Sequence, residues 1–404
     1  LKQKNVNETV VAIGKSTSEN WWTSNQLLSS TRVTFIKSNK GFNLLRLKVL
    51  FFSPMMRRVV NLSVLLTLLG VGVASAQDPQ FSQFYAAPLY LNPAFAGSTN
   101  QGRAGINYRN QWPGIDANFT TISAFADFYL EDYKSGIGMI INRDYVNLVG
   151  LQSLSLALQY SYDLEITKGL SFRPGFEVAL YNRSINFGRL TFGDQFDFDT
   201  GNPTNPTAEQ LRGSNKFFPD LSAGGVFYTP KAWFGFAAHH LTQPNQSISG
   251  DNSPLPIKYS VHGGYKFLLR PGQMGTGVYS RKSERSISPA LQYRHQGPFD
   301  QMDIGSYFTF EPIMLGMWYR GIPFKPVNGF SNNESIVLLV GLTILRGDAK
   351  RQDVLNVGYS YDYTISKLGP GSGGSHEFSL VYTFPIRNPR KPPLDKMVIP
   401  CPEF

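Results

Sequence analysis

Cysteine is almost missing from this chain, with Cys401 the only one. A single thiol cannot form a disulfide within one chain, and it rules out a Cys-based metal site. Histidine is scarce: His239, His240, His262, His295 and His376 are scattered, and none has HExxH or similar ligand spacing. Charge is low, at 16% of residues. Long apolar runs are missing after Ala76. The longest lies near Ile336–Leu345, far short of the roughly 18 residues of a membrane helix. A mean hydropathy of -0.19 likewise excludes a bundle of membrane helices. What is abundant is aromatic and small: 20 Tyr, 30 Phe and 38 Gly, a composition that suggests strands.

The net charge of +10 misleads as a whole-chain figure. Residues 1–58 carry 10 Lys/Arg against 2 Glu, and 59–76 carry none. Residues 77–404 carry 28 Lys/Arg against 26 Asp/Glu, so the body of the protein is nearly neutral. No basic field for nucleic acid is present.

Residues 1–54 contain no Met, and the first are Met55 and Met56. Arg57-Arg58 follow, then an uncharged stretch from Val59 to Ala76 that ends Ala74-Ser75-Ala76. Basic pair, apolar stretch and small residues before the cut form a secretory signal peptide over 55–76, with cleavage between Ala76 and Gln77. An N-terminal membrane anchor is the alternative, since the stretch is about long enough to span. Pro79 and the cleavage pattern argue against it. A lipoprotein is disfavoured, because no Cys stands at the cleavage point. Residues 1–54 read as upstream sequence from a misplaced start, or else as an unusual long leader.

Beyond Ala76 the recurring signal is period-two alternation over about ten residues, broken by Gly, Pro, Asn and Asp. Leu154, Leu156, Leu158, Tyr160 and Tyr162 share one face, while Ser155, Ala157, Gln159 and Ser161 share the other. Leu355, Val357, Tyr359, Tyr361 and Tyr363 oppose Asn356, Gly358, Ser360 and Asp362 in the same way. Only a strand keeps each set together. With 103–111, 119–129, 136–146, 169–181, 220–228, 232–241, 257–267, 286–295, 301–310, 313–320, 335–344 and 375–384, about fourteen strands are expected.

Two architectures suit this pattern. A soluble sandwich hides the apolar face, whereas an outer-membrane barrel turns it towards lipid around a polar lumen. The export signal, the Tyr and Phe at strand ends, and a last strand closing in Phe384 favour a transmembrane antiparallel β-barrel over 103–384. Residues 77–102 read as a periplasmic lead-in, and 385–404 as a Pro-rich, basic periplasmic tail. That tail is either a docking segment or a disordered end. The largest loop, about 186–218, would be extracellular, because periplasmic turns are short.

Gln80-Phe81-Ser82-Gln83-Phe84-Tyr85 and Leu91-Asn92-Pro93-Ala94-Phe95-Ala96-Gly97 look like the start of mature PorP/SprF family proteins. Tyr108-Arg109-Asn110-Gln111-Trp112-Pro113 is similar to the family's first-strand signature. Gly358-Tyr359-Ser360-Tyr361-Asp362, Ser366-Lys367-Leu368 and Gly373-Gly374-Ser375-His376-Glu377 resemble its closing hairpin. The resemblance covers about 77–385, and no motif falls in the middle. It implies an outer-membrane barrel of the type IX secretion and gliding system, surrounded by outer-membrane lipid. It further implies work beside periplasmic ring components, or pairing with a large secreted surface adhesin that it helps export or hold. The long leader and the basic tail depart from the family pattern; the tail leaves core component or accessory paralogue open, with an accessory, substrate-paired member preferred.

The motif residues also have plain physical readings. Asn92-Pro93 starts a turn, and Gly97 permits a positive φ. Trp112 ends a strand at headgroup level, and Trp233 and Trp318 suit either a girdle or lumen packing. Asp194, Asp197 and Asp199 with Gly201 invite calcium but fail the EF-hand template. His239 and His240, on opposite faces of one strand, could not chelate one ion. Arg173, Glu177, Lys266, Arg294 and Asp362 fall on lumen faces, as they should, since lipid-facing charge costs roughly 2–4 kcal/mol at the midplane. They would tune a pore, bind an inserted segment or brace the barrel. No nucleophile–base arrangement or nucleotide loop stands out, so no enzyme, cofactor or metal is expected. A passive porin for small solutes is the main competing function.

Overall fold

A computed structural model describes residues 78–196, 202–203, 206–208, 213–270, 284–327, 330–348, 351–386 and 398–402. The leader, the signal peptide, Ala76, Gln77, Asp197, Asp199, Gly201 and the basic part of the tail lie outside them.

In chain order the strands are β1 (Gly102–Gln111), β2 (Phe119–Leu130), β3 (Ser135–Val146), β4 (Leu151–Tyr162), β5 (Leu164–Thr167), β6 (Leu170–Ile185), β7 (Asn215–Tyr228) and β8 (Ala232–His239). There follow β9 (Lys258–Tyr265), β10 (Phe267–Arg270), β11 (Arg285–Gln296), β12 (Phe299–Phe310), β13 (Ile313–Val327), β14 (Phe330–Asp348), β15 (Arg351–Thr364) and β16 (Ser375–Phe384). Each wall strand pairs antiparallel with its sequence neighbour, and β16 returns to β1 in unbroken register from Gly102↔Phe384 to Gln111↔Ser375. The result is a closed barrel of 14 strands. The short β5 and β10 only extend the edges of β6 and β11. Closure leaves no strand edge unpaired, which a lipid environment requires.

The alternation settles which face is hidden. On β4, Ser155, Ala157, Gln159 and Ser161 are buried, while Leu154, Leu156, Leu158 and Tyr160 point outward. Leu158 is 61% exposed and Gln159 only 3%. The same outward apolar rows run along β3 (Ile137, Met139, Ile141), β6 (Phe176, Val178, Leu180) and β16 (Phe378, Leu380, Tyr382). A continuous apolar coat of this kind has no counterpart on soluble monomers, whose patches reach a few hundred Å². It belongs against acyl chains.

Residues 78–100 depart from the sequence expectation. They do not form a lead-in outside the wall but run down the interior of the ring. The segment makes a short α1 helix (Pro88–Leu91) and a single 3-10 turn (Pro93–Phe95), and Phe81 through Thr99 are buried except for Tyr90. The reason is compositional. Phe81, Phe84, Tyr85, Leu89 and Phe95 need an apolar surrounding, and the lumen supplies Trp233, Tyr307 and Trp318. The tail differs as well, because Ile399 is buried among the same cluster and Cys401 packs beside it. A pocket at that end is lined by Tyr85, Pro88, Arg103, Val381, Ile399 and Cys401.

Candidate functional site inside the barrel

The internal segment touches every strand of the wall. Its upper part is held at the closing seam. The Ser82 and Gln83 amides donate to the two Glu377 carboxylate oxygens at 2.7 and 2.9 Å. The Ser82 hydroxyl donates to Asp362 at 2.6 Å and accepts from Arg109 and Arg320 at 2.7 and 2.9 Å. The Gln83 side chain donates to the Glu377 carbonyl and accepts from Ser379. Around this point Arg109, Arg294 and Arg320 face Glu377, Asp362 and Asp303 in linked ion pairs, all buried or nearly so. Away from water such pairs hold only if every member is partnered, which the alternating signs provide.

The middle of the segment is packed by rings. Phe84 meets Trp318 edge-on at 4.9 Å between centroids. Tyr85 meets Trp233 edge-on and accepts a hydrogen bond from its indole at 2.6 Å. Phe95 stacks on His262 at 5.5 Å. Trp233 and Trp318 are therefore lumen residues and not girdle residues.

The lower part sits against a seam of small side chains. An added Cβ on Gly136 would stand 1.9 Å from the Ala96 carbonyl oxygen, one on Gly175 2.2 Å from the Ala94 nitrogen, and one on Gly224 2.3 Å from Asn92. These wall glycines let two backbones approach where no Cβ fits. Ser161 donates to the Ala96 carbonyl, and Gln159 to that of Leu89. Asn92 is fully buried. Its amide donates to the carbonyls of Phe236 and Gly225 at 2.9 and 3.3 Å, and its oxygen caps Ala94. Gly97, at φ +65°, turns the chain towards β1 and donates to Asp127 at 2.7 Å. Asp127 also takes two hydrogen bonds from Arg103.

The top of the segment ends in a second polar clamp. The Asp78 amide donates to Gln296, and its carboxylate meets His240 at 2.7 Å and Lys258 at 2.8 Å. His240 also reaches Asp220 at 2.5 Å. Burial alone would raise the Asp78 carboxyl, but His240 and Lys258 overrule it and hold the group well below its usual range. Burial opposes the His240 cation, yet Asp78 and Asp220 together lift it to about 9. The expectation that His239 and His240 face opposite ways fails. His240 lies past the end of β8 at φ +60°, which breaks the alternation, and both side chains are buried inside.

The motif residues sort into two sets. Asn92, Pro93, Gly97 and Asp362 serve the interior, and Gly374 shapes the turn between β15 and β16. Gly374, at φ +66°, passes so close to the Asp362 carbonyl that a Cβ would stand 2.4 Å away. Tyr108, Tyr361 and His376 belong to the outward face: His376 meets the Tyr359 hydroxyl at 2.9 Å and packs on Tyr361. Trp112 ends β1 at φ +58° and packs edge-on against Phe119. Arg173, Glu177 and Asp362 are buried in the lumen, and Arg294 and Lys266 pair with Asp303 and Glu284. Asp194 ties its loop to Thr207 and Ala208. Sequence reading missed Arg320 and Asp303, which lie in the stretch without motifs. Inward parity on β12 and β13 was the one signal available for them. Among the described residues no cluster of His, Cys, Asp and Glu has the makings of a metal site.

This architecture defines an outer-membrane β-barrel whose lumen is filled by residues 78–100 of its own chain. The sequence profile of the type IX secretion system membrane protein PorP/SprF matches residues 73–382, and the chain belongs to that family. Curated proteins give no match. Similar solved structures include a Pseudomonas aeruginosa FadL homologue, at 11% identity over 73% of this chain and 93% of that one, with a TM-score of 0.37. The Acinetobacter baumannii outer membrane protein Omp33 is similar at 8% identity over 71% of this chain and 98% of that one, TM-score 0.36. The CymD monoaromatic hydrocarbon channel is similar at 10% identity over 76% and 94%, TM-score 0.39.

Proposed function

We propose that this barrel is a non-enzymatic partner in type IX export, helping to deliver a surface protein or to hold it at the cell surface. The observation that carries the reading is the filled lumen. A passive porin needs a continuous wet path, whereas here the interior between Asp78 and Gly97 is close-packed against every wall strand. The two cavities beside the top of the segment have volumes of about 50 and 90 Å³, room for a few waters each. A barrel so stoppered is suited to presenting surfaces. The two longest connections, 186–214 and 240–257, share one end, and residues 398–402 pack at the other, beside the start of β1. The long-loop end would face outward towards the exported adhesin, and the opposite end would meet the periplasmic ring components.

Two measurements test this together. Deleting the gene should leave one large surface protein unexported or shed into the medium, and wild-type export in the deletion strain would refute the reading. Purified protein in planar bilayers should show no steady conductance. Steady ohmic conductance from the intact chain would favour the porin instead.

A further inference from the structure

Two opposite charges inside the barrel stand outside the networks described above. Asp144 on β3, Ser153 on β4 and Arg183 on β6 lie side by side in register, near the long-loop end of their strands. Neighbouring strands are about 4.8 Å apart, so the carboxylate and guanidinium stems start about 10 Å from each other. The residue between them is a serine, which leaves a notch. No ion pair joins the two, and among the described residues neither has another. Asp144 accepts one hydrogen bond, from Thr121 on Oδ1 at 2.6 Å, and its Oδ2 accepts none. Arg183 donates one, from Nη1 to the neutral Gln246 side chain, so its Nε–Nη2 edge is uncommitted. Lys216 follows Arg183 in the same row and can only add positive charge.

Both side chains line the cavity of about 90 Å³ beside the head of the internal segment. The other charges on its wall are already engaged: Asp78 with His240 and Lys258, and Glu177 with Gln159 and Ser222. One row deeper stand Asn142, Ser155 and Tyr181, the last stacked on Phe218 at 5.3 Å, and below them Ile140 and Ala157 make an apolar floor. Two buried polar atoms of this wall, His239 Nε2 and Asn142 Oδ1, have no hydrogen-bond partner, and His239 is only 6% exposed. Native interiors rarely leave such groups unmatched.

From this arrangement we infer that the cavity is a binding site for a small zwitterion, a free amino acid of glycine or alanine size, its carboxylate on the Nε–Nη2 edge of Arg183 and its ammonium on Asp144. A carboxylate accepts two parallel N–H bonds from that edge, and an ammonium donates to Asp144 Oδ2 and to the Asn142 oxygen in charge-assisted bonds. An ion of one sign would match one group and leave the other without a counter-charge, half-buried. The filled lumen closes the cavity below, so the ligand enters and leaves on the long-loop side. The site is thus a receptor and not a stage of a channel. It requires only the barrel and its filled lumen, and stands whether or not export is the barrel's task.

The test is equilibrium dialysis of the folded, full-length barrel in detergent against radiolabelled glycine, with unlabelled competitors. Binding should be saturable. Glycinamide, which lacks the carboxylate, and N-acetylglycine, which lacks the ammonium, should each compete about tenfold or more weakly than glycine. Asp144→Asn and Arg183→Gln should each lose as much affinity while keeping the heat-dependent gel shift of a folded barrel. Arg183→Lys, which keeps the charge without the two-pronged edge, should fall between. N-acetylglycine competing as well as glycine would make this a plain anion site, and glycinamide doing so a plain cation site. Either result overturns the proposal, as does the lack of saturable glycine binding. Should a variant lose the gel shift, the wild-type competition series decides alone.

Discussion

The Arg109 guanidinium lies 2.8 Å from the Asp362 carboxylate, although 253 positions separate them in sequence. They meet because β1 and β15 flank β16, the strand that closes the barrel. Ser82 sits between them, accepting from one and donating to the other. The seam and the internal segment are thus fastened by the same groups.

That fastening predicts a large loss when Asp362 is removed. Asp362→Leu leaves Arg109 and Arg320 short of a buried counter-charge, and breaking such a pair costs about 3–5 kcal/mol. Urea unfolding of the micelle-embedded barrel should show a drop of that size. A change under 1 kcal/mol would show that the network is wet.

The glycine seam predicts a selective effect. Gly175→Ala puts a methyl group against the Ala94 backbone, and overpacking of this kind costs about 1–3 kcal/mol. The wall's hydrogen-bond ladder runs from strand to strand and closes on itself, so the barrel should still assemble while residues 78–98 become open to added protease. Unchanged protection would mean that the segment does not rest on β6.

The outer clamp predicts a pH window. The His240 pKa is raised to about 9, above the ordinary value near 6.5. Its contribution is therefore complete below about 6.5 and fades as pH rises through about 9. Asp78 is depressed, so its contribution is present above the usual carboxylate value and is lost as pH falls towards the depressed one. Asp220, Lys258 and the neighbouring His239 and Tyr181 rings surround the pair. Relative to unprotected peptide, whose exchange is itself base-catalysed, amide protection near Asp78 should fall above pH 9 in wild type and stay level in His240→Gln, which has no charge to lose. An equal loss of protection in both would remove His240 from the clamp.

The outward face predicts an insertion defect. Leu158→Arg places charge on the lipid side at a position 61% exposed, at a cost of roughly 2–4 kcal/mol near the midplane. The fraction of chain reaching the outer membrane as heat-modifiable barrel should fall. The conservative Leu158→Met should leave it unchanged.

All fourteen wall strands were legible in the sequence, because a ribbon with one face in lipid must alternate, and alternation is a local property. The stretch 355–363 shows this directly: its Leu, Val and Tyr residues face out, and Asp362 faces in. Strand ends shifted by a few residues where β7, β13 and β14 run past the alternating stretch. What filled the lumen was not legible. Residues 78–100 have no period, and their Phe, Tyr and Asn side chains suit a turn-rich connector equally well outside the wall.

Sequence alone determined the strands, the division of each into an apolar and a polar face and the turn at Asn92–Gly97, since each depends on neighbours a few positions away. Only the tertiary structure decided that Ser82, Arg109, Arg320, Asp362 and Glu377 share one buried point, and that His240 turns inward to meet Asp78. Those contacts come from ring closure and from the path of one segment through the ring. Both join residues far apart in the chain, whose pairing no local pattern encodes.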